Sequence, residues 1–237
     1  CIHCTRCVRF LDEIAGTSEL GAMFRGEHTE ISTLVGNGVH SELSGNIIDL
    51  CPVGALTSRP YRFTARAWEM LSHPSVAPHD CLGSNIDLHQ VRGTVKRVVP
   101  RDNEALNECW ISDRDRFSYQ GIYSAERLPA PQIRDNGEWH SVDWQTALEA
   151  SANALRDLLE RHGPQALGAL VSPSATLEEM YLLARIVRAL GSDNIDSRLR
   201  RGDFRDGVEA AGYPGLQLPV ADLEGLDGAL LVGANPR

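Results

Sequence analysis

Several things are missing from this chain of 237 residues. No run approaches the roughly 20 consecutive apolar residues that a membrane-spanning helix needs. The most apolar stretches, such as residues 228–234, have only the length of buried strands. Positive charge is in deficit: 23 Lys and Arg face 32 Asp and Glu. The resulting net charge of −9 argues against a general attraction to nucleic acid or an anionic membrane. Lysine is nearly absent, with Lys96 alone against 22 arginines. Those arginines are scattered rather than gathered into a stripe, which reads as genome composition. Catalytic signatures are missing as well. Gly233-Ala234-Asn235 is too short for G-x-G-x-x-G, and there is no G-x-x-x-x-G-K-S/T loop or G-x-S-x-G elbow. His140, Asp143 and His162 fall near the ends of predicted elements, where capping or solvation accounts for them.

What is present is a cysteine pattern. Cys1, Cys4 and Cys7 read C-x2-C-x2-C, and Cys51 follows after 43 intervening residues, directly ahead of Pro52. Thiolates at i, i+3 and i+6 can wrap a short loop around one face of a compact inorganic cluster. The fold must then deliver the fourth. This is the ligand logic of a 4Fe-4S centre, with Pro after the distal Cys as in bacterial ferredoxins. Zinc is a weaker reading, because its ligands come as two separated C-x2-C pairs. Disulfides would need an oxidising compartment, and nothing at the start resembles a signal peptide. Buried unliganded thiols are the remaining reading. His3 is an alternative ligand within the loop. Arg6 is placed either to raise a cluster's potential or simply to be solvated. Cys81 and Cys109 have no C-x-x-C partner and read as free thiols.

With 42% hydrophobic and 23% charged residues, the composition is that of an ordinary soluble globular protein. Three regions are expected. Residues 1–71 form a cluster domain. It starts with a helix over 8–15 that buries Phe10, Leu11 and Ile14 and ends at Gly16. Residues 29–35 read as a strand of a small hairpin, and Ser44 as the N-cap of a helix over 45–50 that carries Cys51. Residues 64–71 look helical. Residues 72–125 form a β-rich module. Pro74 and Pro78 mark a linker, and strands at 86–88 and 94–99 flank Arg92-Gly93. Residues 126–237 look α/β, after a stiff linker at 128–131. Strands are expected at 138–142, 166–171, 194–196 and 229–233. One helix is capped by Asp143, and another starts at Ser174 or Thr176 and ends at Gly191. The alternation implies a doubly wound parallel sheet. The overall class is α+β followed by α/β. The sequence starts at Cys1 and stops at Arg237 just past a strand-like run, so a fragment truncated at both ends is expected.

Longer stretches carry a family likeness. CIHCTRCVRFLDEIAG, RGEHTEI, SELSGNIIDLCPVGALTS and NECWISDRDRFSYQG together resemble the large iron–sulfur subunit of bacterial NADH–quinone oxidoreductase, respiratory complex I. The resemblance implies that Cys1, Cys4, Cys7 and Cys51 ligate a 4Fe-4S cluster which relays single electrons from NADH and flavin toward quinone. It implies that the α/β region is of molybdopterin-oxidoreductase type but binds no molybdopterin. A 2Fe-2S cluster and a further 4Fe-4S cluster would belong to an upstream part absent from this chain. Some members of the family hold an additional cluster in the β-rich module through C-x2-C-x3-C-x27-C. Here Ser84 and Ser112 occupy its third and fourth positions. Serine oxygen is a poor cluster ligand, so that cluster is expected to be absent. Cys81 and Cys109 also bracket 27 residues, but two thiolates do not make a four-cysteine site.

The partners implied are the flavin-bearing NADH-binding subunit and the quinone-side iron–sulfur subunits of complex I. Contact with the membrane would be indirect, in a peripheral arm at the cytoplasmic face of the bacterial inner membrane. The enzyme would be the whole NADH dehydrogenase, a proton translocase, with no complete active site in this chain. Two alternatives differ in class. One is a segment of a molybdopterin-dependent formate dehydrogenase or NAD-linked hydrogenase, which the loss of a second cysteine quartet disfavours. The other is a zinc-stabilised structural module.

Overall fold

A computed structural model describes residues 1–33, 38–80, 82–172, 174–197 and 218–230. The chain divides into two compact units, Cys1–Tyr123 with Gly215–Arg237, and Ser124–Pro214.

In the first unit, helix α1 (Arg6–Arg9) runs directly into a π-helical turn at Phe10–Ile14. There the Ala15 N–H donates to the Phe10 carbonyl (3.0 Å), five residues back. The wider turn shifts the side-chain faces from α-helical phase. Phe10 and Leu11 are buried as expected, but Ile14 is 55% exposed rather than packed with them. Gly16, at φ +66°, ends the element. Strands β1 (Leu20–Met23) and β2 (Glu30–Thr33) form the small antiparallel hairpin, with Leu20 opposite Thr33. Of the expected strand over 29–35, residues 34 and 35 lie outside the described residues. Helix α2 (Asn46–Leu50) follows, and Cys51 at its end is already extended (φ −73°, ψ 108°), as the residue before Pro52 must be. Phe10, Leu11 and Ile47 form the core here, with Leu43, Leu50, Leu56 and Trp110 packed against it. The rings of Phe10 and Trp110 lie 4.8 Å apart at 52°.

Residues 64–71 are not helical. Arg66 is extended, and its N–H is taken by the Glu69 carboxylate, which leaves only a 3-10 turn at Ala67–Glu69. Leu71 instead opens β3 (Leu71–Val76), which pairs with β4 (Asn85–Val91), itself paired with β5 (Thr94–Pro100), all antiparallel. Pro74 therefore lies within a strand and not in a linker. It is tolerated because β3 is an edge, where a missing N–H disrupts no ladder on its open side. The β4–β5 turn is as expected: Arg92 (φ +50°) and Gly93 (φ +79°) supply the two left-handed residues of a type I′ hairpin turn. Ala77, Ile86, Val98 and Ile111 form this region's core. Helix α3 (Asp113–Phe117) is capped by Ser112, whose Oγ accepts from the Asp115 N–H at 3.1 Å. A 3-10 turn at Val220–Gly225 also belongs to this unit.

The second unit starts with an antiparallel hairpin of β6 (Gln132–Asp135) and β7 (Glu138–Ser141). Sequence reading found only its second strand. Asp143 then caps α4 (Trp144–His162) by accepting from the Thr146 N–H at 2.9 Å. Strand β8 (Ala169–Leu170) runs parallel to β9 (Ile195–Asp196), with α5 (Leu177–Ala189) between them in sequence. Thr176 and Glu179 form the capping box of α5, which ends at Gly191 (φ +86°). The strand expected over 166–171 shrinks to two residues, because Pro164–Ala166 is a 3-10 turn and Leu170 is exposed. Of the strand expected at 229–233, residues 229 and 230 have no regular structure and the rest lie outside the described residues. The fold is a mixture of helix and sheet, and β8–β9 is the one parallel pair among the described residues. No helix among them is long and apolar enough to cross a membrane.

Candidate metal centre

The cysteine loop is built on unusual backbone. His3 (φ +50°) and Thr5 (φ +59°), lying between the cysteines, are both left-handed without being glycine. Each costs about 1–2 kcal/mol against an ordinary conformation. Strain of this kind persists where surroundings over-determine it, commonly at ligand sites. It turns the chain tightly enough for α1 to begin just after Cys4, leaving Cys7 within the helix. From the other direction, α2 stops at Leu50 and hands Cys51 to the same place.

Cys1, Cys4, Cys7 and Cys51 all line one cavity of about 180 Å³. That is far more than the 10–15 Å³ or so a single water requires. Ile2, Leu20, Ile31, Val53 and Leu56 supply apolar walls, and Arg6 contributes to the lining. His3 does not contribute, so the histidine considered as an alternative ligand is not among the cavity residues. Leu56 is also shared with a neighbouring cavity of about 530 Å³ that contains Tyr61, Arg62, Arg97 and Arg116 but no cysteine. The thiol chemistry is confined to the smaller cavity.

The four sulfurs sit in different environments. Cys1 and Cys4 are exposed, and Cys7 and Cys51 are half-buried. Burial pushes the Cys7 thiol up, and the neighbouring Cys4 and Cys51 sulfurs push it further in the same direction. At Cys51 burial also pushes up, but the surrounding backbone N–H groups, led by those of Leu56 and Val53, outweigh it and hold the thiol below its usual value. The N–H groups of Ala55 (3.2 Å) and Leu56 (3.5 Å) donate directly to Cys51 Sγ, and that of His3 (3.4 Å) donates to Cys1 Sγ. These donors stabilise thiolate and neutralise sulfur-borne negative charge.

This arrangement fits an iron–sulfur cluster: four soft sulfur donors, apolar walls, backbone N–H groups aimed at sulfur, and room between the ligands. Among the described residues, no group of three or more His, Cys, Asp or Glu stands closely enough to hold a single metal ion. Zinc thiolates crowd one centre at about 2.3 Å, whereas a cluster holds its thiolates at separate irons.

The second set of positions is different. Ser84 is buried, and both it and Ser112 line a further cavity of about 270 Å³ with Asp80, Asn107 and Asp115. The structure thus brings the two serines together. Ser112 Oγ is committed, accepting from the Asp115 N–H and donating to the Asp115 carboxylate. Counting back along C-x2-C-x3-C-x27-C puts Ala77 and Asp80 at the first two positions, and Ala77 is in the hydrophobic core. Cys109 is exposed, and Cys81 lies outside the described residues.

Sequence reading missed what supports α2. Ser44 was expected to cap it, but no side chain of residue 44 or 45 does so. Instead Asp113 accepts from the Gly45 N–H (2.6 Å) and from the Ser44 hydroxyl. Asn46, wholly buried, and Arg116 complete the support. No local periodicity links residues 45 and 113, so nothing in the sequence pattern could have paired them.

Comparison with known proteins places these features in context. Residues 1–57 match the family model "NADH-quinone oxidoreductase subunit 3, ferredoxin-like domain", and residues 72–120 match "NADH-ubiquinone oxidoreductase NDSU1/NuoG-like, 4Fe-4S domain". Residues 127–237 match "Molybdopterin oxidoreductase". The whole chain is 41% identical over 237 residues to a NADH-quinone oxidoreductase subunit of Rickettsia bellii (strain RML369-C), covering 34% of that protein. It is 41% identical over 255 aligned residues to the NADH-ubiquinone oxidoreductase 75 kDa subunit of Reclinomonas americana, covering 35% of it. To the mitochondrial 78 kDa subunit of Candida albicans it is 39% identical, again over its whole length and 32% of the relative. The chain therefore spans about a third of the length of the curated relatives it matches.

Proposed function

The chain belongs, as a segment, to the family of large iron–sulfur subunits of NADH–quinone oxidoreductases and their mitochondrial 75 kDa counterparts, and on that premise we propose that it relays single electrons by way of one 4Fe-4S cluster held by Cys1, Cys4, Cys7 and Cys51. The observation that carries this reading is the convergence of the four cysteines on one cavity, although 43 residues separate the last two. When bound, such a cluster supplies one-electron redox chemistry at a potential set by charge, hydrogen bonding and exposure.

The chain's own residues act around it. The thiolates provide the ligands. The Ala55 and Leu56 N–H groups spread the charge on Cys51 Sγ, and the Arg6 positive charge beside the cavity favours the more reduced, more negative state. Ile2, Leu20, Ile31 and Val53 exclude water on the flanks. No acid, base or nucleophile is required, in keeping with the absence of a catalytic signature in the sequence.

The finer assignments are part of the same reading. Residues 1–71 would be the cluster domain, 72–125 a β-rich module without its own cluster, and 126–237 the start of a doubly wound α/β domain that holds no molybdopterin. The commitment of Ser112 to its cap and of Ala77 to the core supports the second of these. Electrons would come from a flavin-bearing NADH-binding subunit and leave for quinone-side iron–sulfur subunits. The site would lie in a peripheral arm on the cytoplasmic face of the bacterial inner membrane.

Iron and acid-labile sulfide, measured per chain in anaerobically purified protein, test the ligand set. About four of each are expected from the cluster stoichiometry, with a marked loss in Cys51→Ser. Wild-type iron content in that variant, or zinc in place of iron in the parent protein, would overturn the assignment.

A further inference from the structure

We propose that Asp113 and Arg116 of α3 are positioning residues for Cys51: they clamp α2 from outside the cysteine region and thereby set where the fourth thiolate stands. The inference rests on the cluster reading above and deepens it.

Helix α2 has five residues, too few to hold itself in water. Its own sequence provides no side-chain cap. The missing interactions come from residues 111–116. One Asp113 carboxylate oxygen accepts from the Gly45 N–H at 2.6 Å and the other from the Ser44 hydroxyl. The Asp113 N–H in turn donates to the Glu42 carbonyl at 2.7 Å. Arg116 Nη2 donates to Asn46 Oδ1 at 2.9 Å and pairs with Asp49 Oδ2 at 2.7 Å. Asn46 then exchanges hydrogen bonds with both the N–H and the carbonyl of Ile111. Both polar side chains of α2, Asn46 and Asp49, thus bond to this one segment, Asn46 reaching the Leu43 carbonyl as well, and Asp49 lies two residues before Cys51.

Two further observations show that the approach is close and specific. A Cβ on Gly45 would fall 2.6 Å from Arg116 Cδ and 2.7 Å from Asp113 Oδ1, so any side chain there would displace Arg116 or Asp113 from the present contact. Arg116 is 5% exposed and its Nε has no partner. A buried guanidinium left partly unsatisfied is a poor device for stability alone, since a buried ion pair often gains nothing over well-packed apolar residues. What such a pair does supply is a fixed geometry. The module therefore has a task that needs no cluster of its own.

The test uses the full-length subunit in its assembled complex. Asp113→Ala and Arg116→Met are compared with the conservative Asp113→Asn and Arg116→Lys. Four quantities are read: iron per chain, the g-values and linewidth of the reduced cluster, its midpoint potential, and amide exchange over residues 45–51. In the first pair we expect exchange over 45–51 to rise about tenfold, while β4 and β5 keep wild-type protection. The cluster signal should broaden or shift in potential, with at least partial recovery in the conservative pair. Wild-type g-values and potential in all four variants, or equal loss of protection throughout β4 and β5, would overturn the clamp and leave the cluster reading standing. A wild-type complex in which Cys51 binds no iron would overturn the cluster reading, and the clamp with it.

Discussion

Replacing Asn46 by alanine should destabilise the first unit by about 4 kcal/mol, and the figure can be built group by group. The Asn46 side chain is wholly buried and makes four hydrogen bonds. Two of its partners keep another bond when it is removed. The Leu43 carbonyl still accepts from the Asn46 backbone N–H, and Arg116 still pairs with Asp49. The other two, the N–H and carbonyl of Ile111, lose the partner that satisfied them inside a core where Ile111 is 2% exposed. An orphaned buried polar group costs about 1–3 kcal/mol, so two cost about 2–6. Against a typical domain stability of about 5–15 kcal/mol this is a large share. Urea unfolding, followed through amide exchange in β4 and β5, isolates the relevant unit. Gln120→Ala, in the same unit, removes an exposed hydrogen bond to the Phe117 carbonyl and serves as a control, with a change within about 0.5 kcal/mol. A loss below about 1 kcal/mol for Asn46→Ala would refute the reasoning, because the Ile111 groups would then have found other partners.

Two other predictions concern the β4–β5 hairpin. Gly93→Ala should cost about 1 kcal/mol in the same urea assay, because the added Cβ meets nothing within 4 Å and only the left-handed backbone at φ +79° resists it; a neutral substitution would show that the turn relaxes freely. His89 should make the hairpin acid-sensitive. Burial first, and the Arg97 guanidinium second, hold its imidazole below the usual histidine value, and Arg97 Nε donates to His89 Nδ1 at 3.0 Å. A depressed value means that the unfolded state binds the proton more readily. Stability is therefore full above the unfolded pKa of about 6.5 and is lost as pH falls through the folded value. In His89→Gln that slope below about pH 6.5 should flatten, and an unchanged slope would assign it to another group.

Features legible in the sequence were those governed by neighbours. Asp143 and Thr176 start helices because a cap acts on N–H groups two or three residues away. Arg92-Gly93 sets a hairpin turn for the same local reason. The cysteine spacing singled out four candidate ligands, and all four line one cavity. What was not legible depends on residues far apart. Pro74 looked like a linker because its tolerance comes from having no strand on one side among the described residues. Ile14 was assigned to the core on an α-helical period that the π-helical turn does not keep. Ser44 looked like a cap, but Asp113 from 68 residues downstream takes the Gly45 N–H instead. The exposed Leu148 and Leu177 mark helix faces whose periodicity was visible although nothing among the described residues of their own unit covers them.

On the proposed reading, the cavity between Cys1, Cys4, Cys7 and Cys51 holds a one-electron iron–sulfur centre. Low-temperature EPR of the anaerobic protein, before and after reduction by dithionite, tests it most directly. A signal of a reduced four-iron cluster, integrating to one spin per iron-loaded chain and diminished in Cys51→Ser, is the predicted result. A protein that contains zinc, or that stays EPR-silent in both states with no iron bound, would contradict the account.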